Sequence, residues 1–255
     1  MTLRWVPGWN GLNEPEAVSY VAAVEAADNQ ELEFGVARAI NDFVTGCKQD
    51  KIWDAIKACC ILAGARTLGG ALVPLVGAAP TNNNFVSGDY NRETGLVGDG
   101  TTKQLNSGYA GSSLLLNNHH LSVYATTLAE SSGARAYIGG SSAPTVLLYR
   151  SGNSLIMRSA TSSTAATGLN ATATGLIGCS RSSALSFTAR AGSTDVTIND
   201  TSVSISSNNI FTHSRGGSLY SSARLAFYSI GESLDLAALD TRVSNLITAI
   251  GAAIP

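Results

Sequence analysis

The sequence predicts a mainly β protein, a sandwich or jelly roll, with a helical module on its N-terminal side and a helix at its C-terminal end. Three observations predict it. Apolar residues recur at helical spacing between residues 14 and 64. Between residues 85 and 231 they alternate with Ser, Thr and Asn in short runs separated by Gly, Asn and Ser, with no helical run between them. After residue 234 the helical spacing returns.

Taken in order, residues 1–12 read as an extended arm, since Trp5, Pro7, Gly8, Trp9 and Gly11 place apolar rings on irregular backbone. Trp5 and Trp9 are candidate docking residues for a larger particle. Residues 13–75 form the helical docking or oligomerisation module. Asn13 with Glu16 gives an N-cap signal, and Pro15 suits the first turn. Ala17, Val21 and Val24 follow at helical spacing. Asp28 with Glu31 repeats the signal before Leu32, Val36, Ile40 and Phe43, and Gly46 reads as the stop. Asp50 then caps an expected third helix with Ile52, Ile56, Cys59 or Cys60, and Ala63 on its face, ending at Gly64. Gly69, Gly70, Pro74, Gly77, Pro80 and Asn82 to Asn84 break regular structure and mark the boundary.

Residues 76–233 form the β domain. Leu121, Val123 and Ala125 alternate with Ser122, Tyr124 and Thr126, the pattern of a half-buried strand. Thr145 to Arg150 and Leu155 to Arg158 flank a hairpin turn at Ser151 to Ser154. Leu185, Phe187 and Ala189 mark another strand. Asn199-Asp200 is expected to turn between Val196/Ile198 and Val203/Ile205. Leu225 to Ile230 is apolar on both faces and predicts a central strand. Residues 234–255 return to helix, with Leu239, Val243, Leu246 and Ile250 on one face, Ser233 as the N-cap and Gly251 after the last turn. That helix is expected to pack on the core.

Composition narrows the function. Hydrophobic residues make up 44% of the 255 and charged residues only 13%, with a net charge of -2. The surface is therefore polar without being charged, and no basic stripe suggests nucleic acid. From Ser131 to Gly231 the acids are Asp195 and Asp200, against Arg135, Arg150, Arg158, Arg181, Arg190, Arg215 and Arg224. Spread out as they are, these arginines read as solvated strand ends rather than a patch. The N-terminus has no signal-peptide pattern, and no apolar run is long enough to span a membrane. Cys47, Cys59, Cys60 and Cys179 form no paired spacing, so free buried thiols are expected, with no metal or cofactor.

Catalytic patterns are missing. No strand carries the two same-face carboxylates of a sandwich glycosidase; Glu130 stands alone. His119 and His120 are adjacent and should point to opposite faces, and no nucleophile elbow accompanies them or His213. Gly95 to Lys103 lacks the phosphate-loop lysine position, and Asp99-Gly100 reads as a hairpin turn. Asp89, Asp99, Asp195 and Asp200 lack calcium-loop spacing. Among Tyr109, Tyr124, Tyr137, Tyr149 and Tyr220, the loop-adjacent Tyr109 and Tyr220 are the candidate glycan contacts.

Several segments resemble a family of structural proteins of tailed bacteriophages. They are Ile52 to Lys57, Cys60 to Leu68, Gly70 to Leu75, Ala79 to Asn82, Asn84 to Arg92 and Ala223 to Glu232, with Leu239 to Ile250 similar to the family's terminal helix. The resemblance implies a concanavalin A-like, laminin-G-like jelly roll and a virion location, with the protein made in host cytoplasm. It implies no catalytic residues. The expected function is a non-enzymatic structural or accessory protein of the particle: tail, baseplate, fibre or head decoration. Its expected partners are other virion proteins and copies of itself, trimers being common in fibres. The alternative is a receptor-recognition module for host-surface glycan, with a polysaccharide hydrolase further behind.

Overall fold

The computed structural model describes residues 11–143, 145–161 and 165–255, the side chains of 165 and 166 excepted. The arm up to residue 10, with the docking candidates Trp5 and Trp9, lies outside the described residues.

Two antiparallel sheets are stacked. The first has eight strands: β1 (Ile56–Ile61), β3 (Tyr90–Asn91), β4 (Gly95–Val97), β6 (His119–Thr127), β11 (Gly175–Arg181), β12 (Ser186–Ala191), β13 (Thr194–Asn199) and β15 (Arg224–Gly231). Their order is β13-β12-β11-β6-β15-β4-β3, and β1 shares with β4 one edge of β15. The second has seven: β2 (Thr81–Asn83), β5 (Gln104–Ala110), β7 (Ala134–Gly140), β8 (Thr145–Ser151), β9 (Ser154–Thr161), β10 (Ala165–Asn170) and β14 (Asn209–Thr212), ordered β10-β9-β8-β7-β14-β5-β2. Four helices are α1 (Pro15–Asp28), α2 (Phe34–Gln49), the single turn α3 (Leu68–Ala71) and α4 (Leu236–Ala253).

Alternation fills the space between the sheets. Leu121, Val123, Ala125, Ile177 and Cys179 of the first sheet meet Ile138, Val146, Leu148, Leu155 and Met157 of the second. The opposite face of the first sheet is covered too. Leu176, Phe227, Cys59 and Ile61 pack there against Val21, Val24, Val36, Ile40, Phe43, Leu239, Val243 and Ile250. The layers run helices, sheet, sheet.

That helix layer explains several departures from the sequence reading. The expected third helix is strand β1, in register with β15 from Ile56 opposite Gly231 to Ile61 opposite Phe227. A strand buried on both faces shows no alternation, so its apolar run also fits helical spacing. Of the residues 13–75 expected as a helical module, 56–61 supply a strand to the first sheet. Ser122 is fully buried where a half-wet strand was expected.

Helix ends also moved. Glu14, not Asn13, occupies the α1 N-cap position, and Asn41 Oδ1 accepts from the Asn13 and Glu14 amides. Asp28 ends α1 and accepts from the Arg66 amide and from the Thr67 amide and hydroxyl instead of capping α2. Gly46 lies inside α2, where a Cβ would come within 2.7 Å of Arg242 Cδ on α4. Asp235, not Ser233, caps α4, and Gly251 lies within it.

The strand connections differ at two places. Asp99 closes an Asx turn, accepting from the amides of Thr101, Thr102 and Lys103, on a connection that crosses between sheets rather than a hairpin. After β13, residues Val203 and Ile205 form no strand. The β8–β9 hairpin closes with Ser151 opposite Ser154.

Candidate functional site

The two tyrosines singled out from sequence lie at opposite ends of the sandwich. Tyr109, on β5, lines a hollow of about 410 Å³ with Lys57, Ser113, Leu115, Asn118, Gly231 and Glu232. Lys57 and Glu232 form an ion pair of 3.0 Å there. Tyr220 is half-buried and precedes β15, whose last residue, Gly231, lines the Tyr109 hollow. Eight residues of strand, roughly 25 Å, separate those ends. No single ligand of sugar size touches both. Tyr137 is core, and Tyr124 packs under the helix layer.

The histidines are structural. His119 turns inward, its Nε2 2.8 Å from Ser159 Oγ on the opposite sheet. His120 turns outward beneath the helices, bonding Ser229 Oγ and the Glu232 carbonyl. His213 sits between Thr212 Oγ1 and the Leu96 carbonyl. Burial pushes all three pKa values down to about 4, so they are neutral at neutral pH. Their hydrogen-bond partners are hydroxyls and carbonyls, not carboxylates.

The carboxylates are likewise engaged. Glu130 accepts from the Ser222 amide and hydroxyl and pairs with Arg135 at 2.7 Å. Asp195 and Asp240 both hold Arg190. Among the described residues no group of three or more His, Cys, Asp or Glu could hold a metal ion. No helix among them is long and apolar enough to cross a membrane.

The arginines sort into two kinds. Arg181, fully buried, donates to the carbonyls of Ser159, Ser183, Ala184, Ser186 and Asp200 and lies over the Phe187 ring. Arg150 reaches the Gly152 and Ala129 carbonyls, and Arg224 the Gly95 carbonyl. Arg158 and Arg215 differ. They lie on the outer face of the second sheet, where Ala136, Leu147 and Tyr149 form a small apolar cluster with Ile156 and Leu219. Sequence reasoning missed this pair. Arg158 and Arg215 are far apart in the chain, and what sets them apart is that neither forms an ion pair among the described residues, which spacing does not encode.

No protein-family model and no curated protein matches the chain. Among solved structures it is similar to Trypanosoma rangeli sialidase in complex with 2,3-difluorosialic acid, a covalent intermediate, at 11% identity and a TM-score of 0.35. The complex of Trypanosoma rangeli sialidase with 2,3-difluoro-KDN matches at 12% identity and a TM-score of 0.38. Each match covers 84% of this chain and 40% of the sialidase chain. Likeness at this level carries no argument about this chain.

Proposed function

We propose that the chain is a non-enzymatic structural or accessory protein of a tailed-phage particle, with a concanavalin A-like jelly roll as its body. One observation supports this most. Most of the sequence segments that resemble phage structural proteins meet at one place in the fold, the edge of β15 away from β6; Ala79 to Asn82 is an exception, leading into β2 of the second sheet, and Leu239 to Ile250 lies in α4. At that edge β1 pairs with β15, and β3 joins through β4. The Leu62 amide donates to the Ala226 carbonyl, the Gly64 amide to the Arg92 carbonyl, and the Tyr90 hydroxyl to the Ala65 carbonyl. Segments distant in sequence thus build one unit, as a family's shared core would.

The use made of reactive side chains favours the same reading. His119 and His120, neutral and buried, bond across strands and sheets, Glu130 and Asp195 are held in ion pairs, and the four thiols are buried. The test is gradient purification of particles from a lysate of cells producing the chain, followed by mass spectrometry. Co-sedimentation with particles at a fixed ratio to the major capsid protein is expected. A chain found only in the soluble fraction contradicts the proposal.

A further inference from the structure

The outer face of the second sheet holds two guanidinium groups that pair with no carboxylate among the described residues. Arg158 stands on β9 directly opposite Leu147 of β8, on the face turned away from the sandwich interior. Its Nε is buried and has no hydrogen-bond partner among the described residues. Arg215 lies in the connection from β14 to β15, which folds back over the same face. The Ala136 amide donates to the Leu219 carbonyl at 2.8 Å, tying the loop down. A Cβ on Gly216 would stand 3.1 Å from the Phe211 ring, so the loop backbone rests on that ring. Arg215 Nε reaches the Gly140 carbonyl only at 3.4 Å. Burial, then the nearby positive charge of Arg158, lower the pKa of Arg215; Tyr149 acts on it in the opposite sense.

The contrast with the other arginines is what decides. Arg190, more deeply buried than either, has Asp195 and Asp240 at 2.8 and 2.9 Å. None of the ion pairs among the described residues includes Arg158 or Arg215. Two like charges brought together and partly desolvated destabilise a fold unless something compensates them. A buried donor without an acceptor in a native protein calls for a ligand or ion that supplies one. Guanidinium groups are matched by planar oxyanions, which accept two parallel N–H bonds. The floor beside them, the half-buried Ile156 and Leu219 with Tyr149 enclosed between strands at 8% exposure, is apolar and aromatic, and its exposed margin suits the face of a sugar ring.

We propose that this face binds an oxyanion, carboxylate or phosphate, carried on a saccharide, with Arg158 and Arg215 on the anion and Tyr149 beneath the ring. The site stands independently of whether the chain is a particle component.

The experiment is an NMR titration of the full chain, following the arginine Nε–H signals. Sodium glucuronate and inorganic phosphate are the anionic probes; glucose and sodium chloride are the controls. Saturable shifts of Arg158 and Arg215 with an anionic probe, and not with glucose or chloride, are expected. Glucuronate binding without phosphate binding assigns an acidic sugar, and the reverse assigns a phosphorylated one. Arg158→Met and Arg215→Met should each weaken binding by about tenfold or more. Arg38→Met, at an exposed position of α2, should leave it unchanged. Arg158→Met removes an unpaired charge, so it should fold. Arg158→Lys is the second variant, which keeps the charge but loses the fork and should also weaken binding. If neither anion shifts these signals beyond what chloride does, or if Arg158→Met and Arg158→Lys bind like the parent chain, the proposal is overturned.

Discussion

His120 Nε2 and Ser229 Oγ lie 2.8 Å apart across the β6–β15 seam, sealed beneath the helix layer. Ser122 Oγ continues the chain at 2.9 Å from Ser229. Like His119 and His213, His120 has its pKa pushed by burial down to about 4, from an ordinary value of 6.5. The unfolded chain therefore binds protons at a higher pH than the folded one, and stability rises with pH across that interval. The contribution is complete above about pH 6.5 and is lost as pH falls toward 4, on the order of 3 kcal/mol per histidine. Urea denaturation at pH 7 and pH 5 should show a marked loss of stability at the lower pH. Histidine NMR signals of the folded protein should show no titration above about pH 5.

Arg181 should be the most sensitive of the arginines. Its guanidinium satisfies carbonyls from β9, the β11–β12 turn and the end of β13 at once. Arg181→Leu preserves bulk but leaves those acceptors in a dry interior, and should destabilise by about 3–5 kcal/mol. Arg158→Leu should cost much less, because among the described residues nothing accepts from Arg158 Nε. Thermal denaturation of the two variants side by side measures the difference.

Gly95 fixes the start of β4. Its φ is +96°, and a Cβ there would collide with the Leu225 carbonyl oxygen. The obstacle is backbone in the central strand, which has no room to yield. Gly95→Ala should cost more than about 3 kcal/mol, adding strain at φ to the displacement of β15. Gly88, where a Cβ meets nothing, is the control, and Gly88→Ala should leave the melting temperature within a few degrees of the parent's.

The four thiols should be inert in the native protein. Cys47, Cys59, Cys60 and Cys179 are free and buried, and burial raises the pKa of each, Cys47 and Cys179 to about 12. Thiolate is the reactive form. A colorimetric disulfide reagent at pH 8 should release little signal before denaturant is added and four equivalents afterwards.

How far the fold could be read depended on which faces are wet. β6, the β8–β9 hairpin, β15 and α4 were legible because their apolar residues keep period two, period 3.6 or an unbroken run. β1 was not. Ile56, Cys59, Cys60 and Ala63 satisfy helical spacing, and only the β15 edge makes them a strand. Helix boundaries failed where tertiary partners took the capping groups, as Thr67 and Arg66 took Asp28. The site was less legible still. Tyr109 and Tyr220 looked alike beside Gly- and Ser-rich loops, yet they fall at opposite ends of β15. Tyr149 looked like one more core aromatic; it is buried, but in a small cluster on the outer side of the second sheet, near two arginines that form no ion pair among the described residues.

The central claim, that this chain is a component of a phage particle, is tested most directly by immunogold electron microscopy of intact particles with antibody raised against residues 85–231. The account predicts label at one fixed position on head or tail of every particle. Particles without label, from lysates in which the same antibody detects the chain in soluble form and on particles opened by mild denaturation finds nothing, would contradict it.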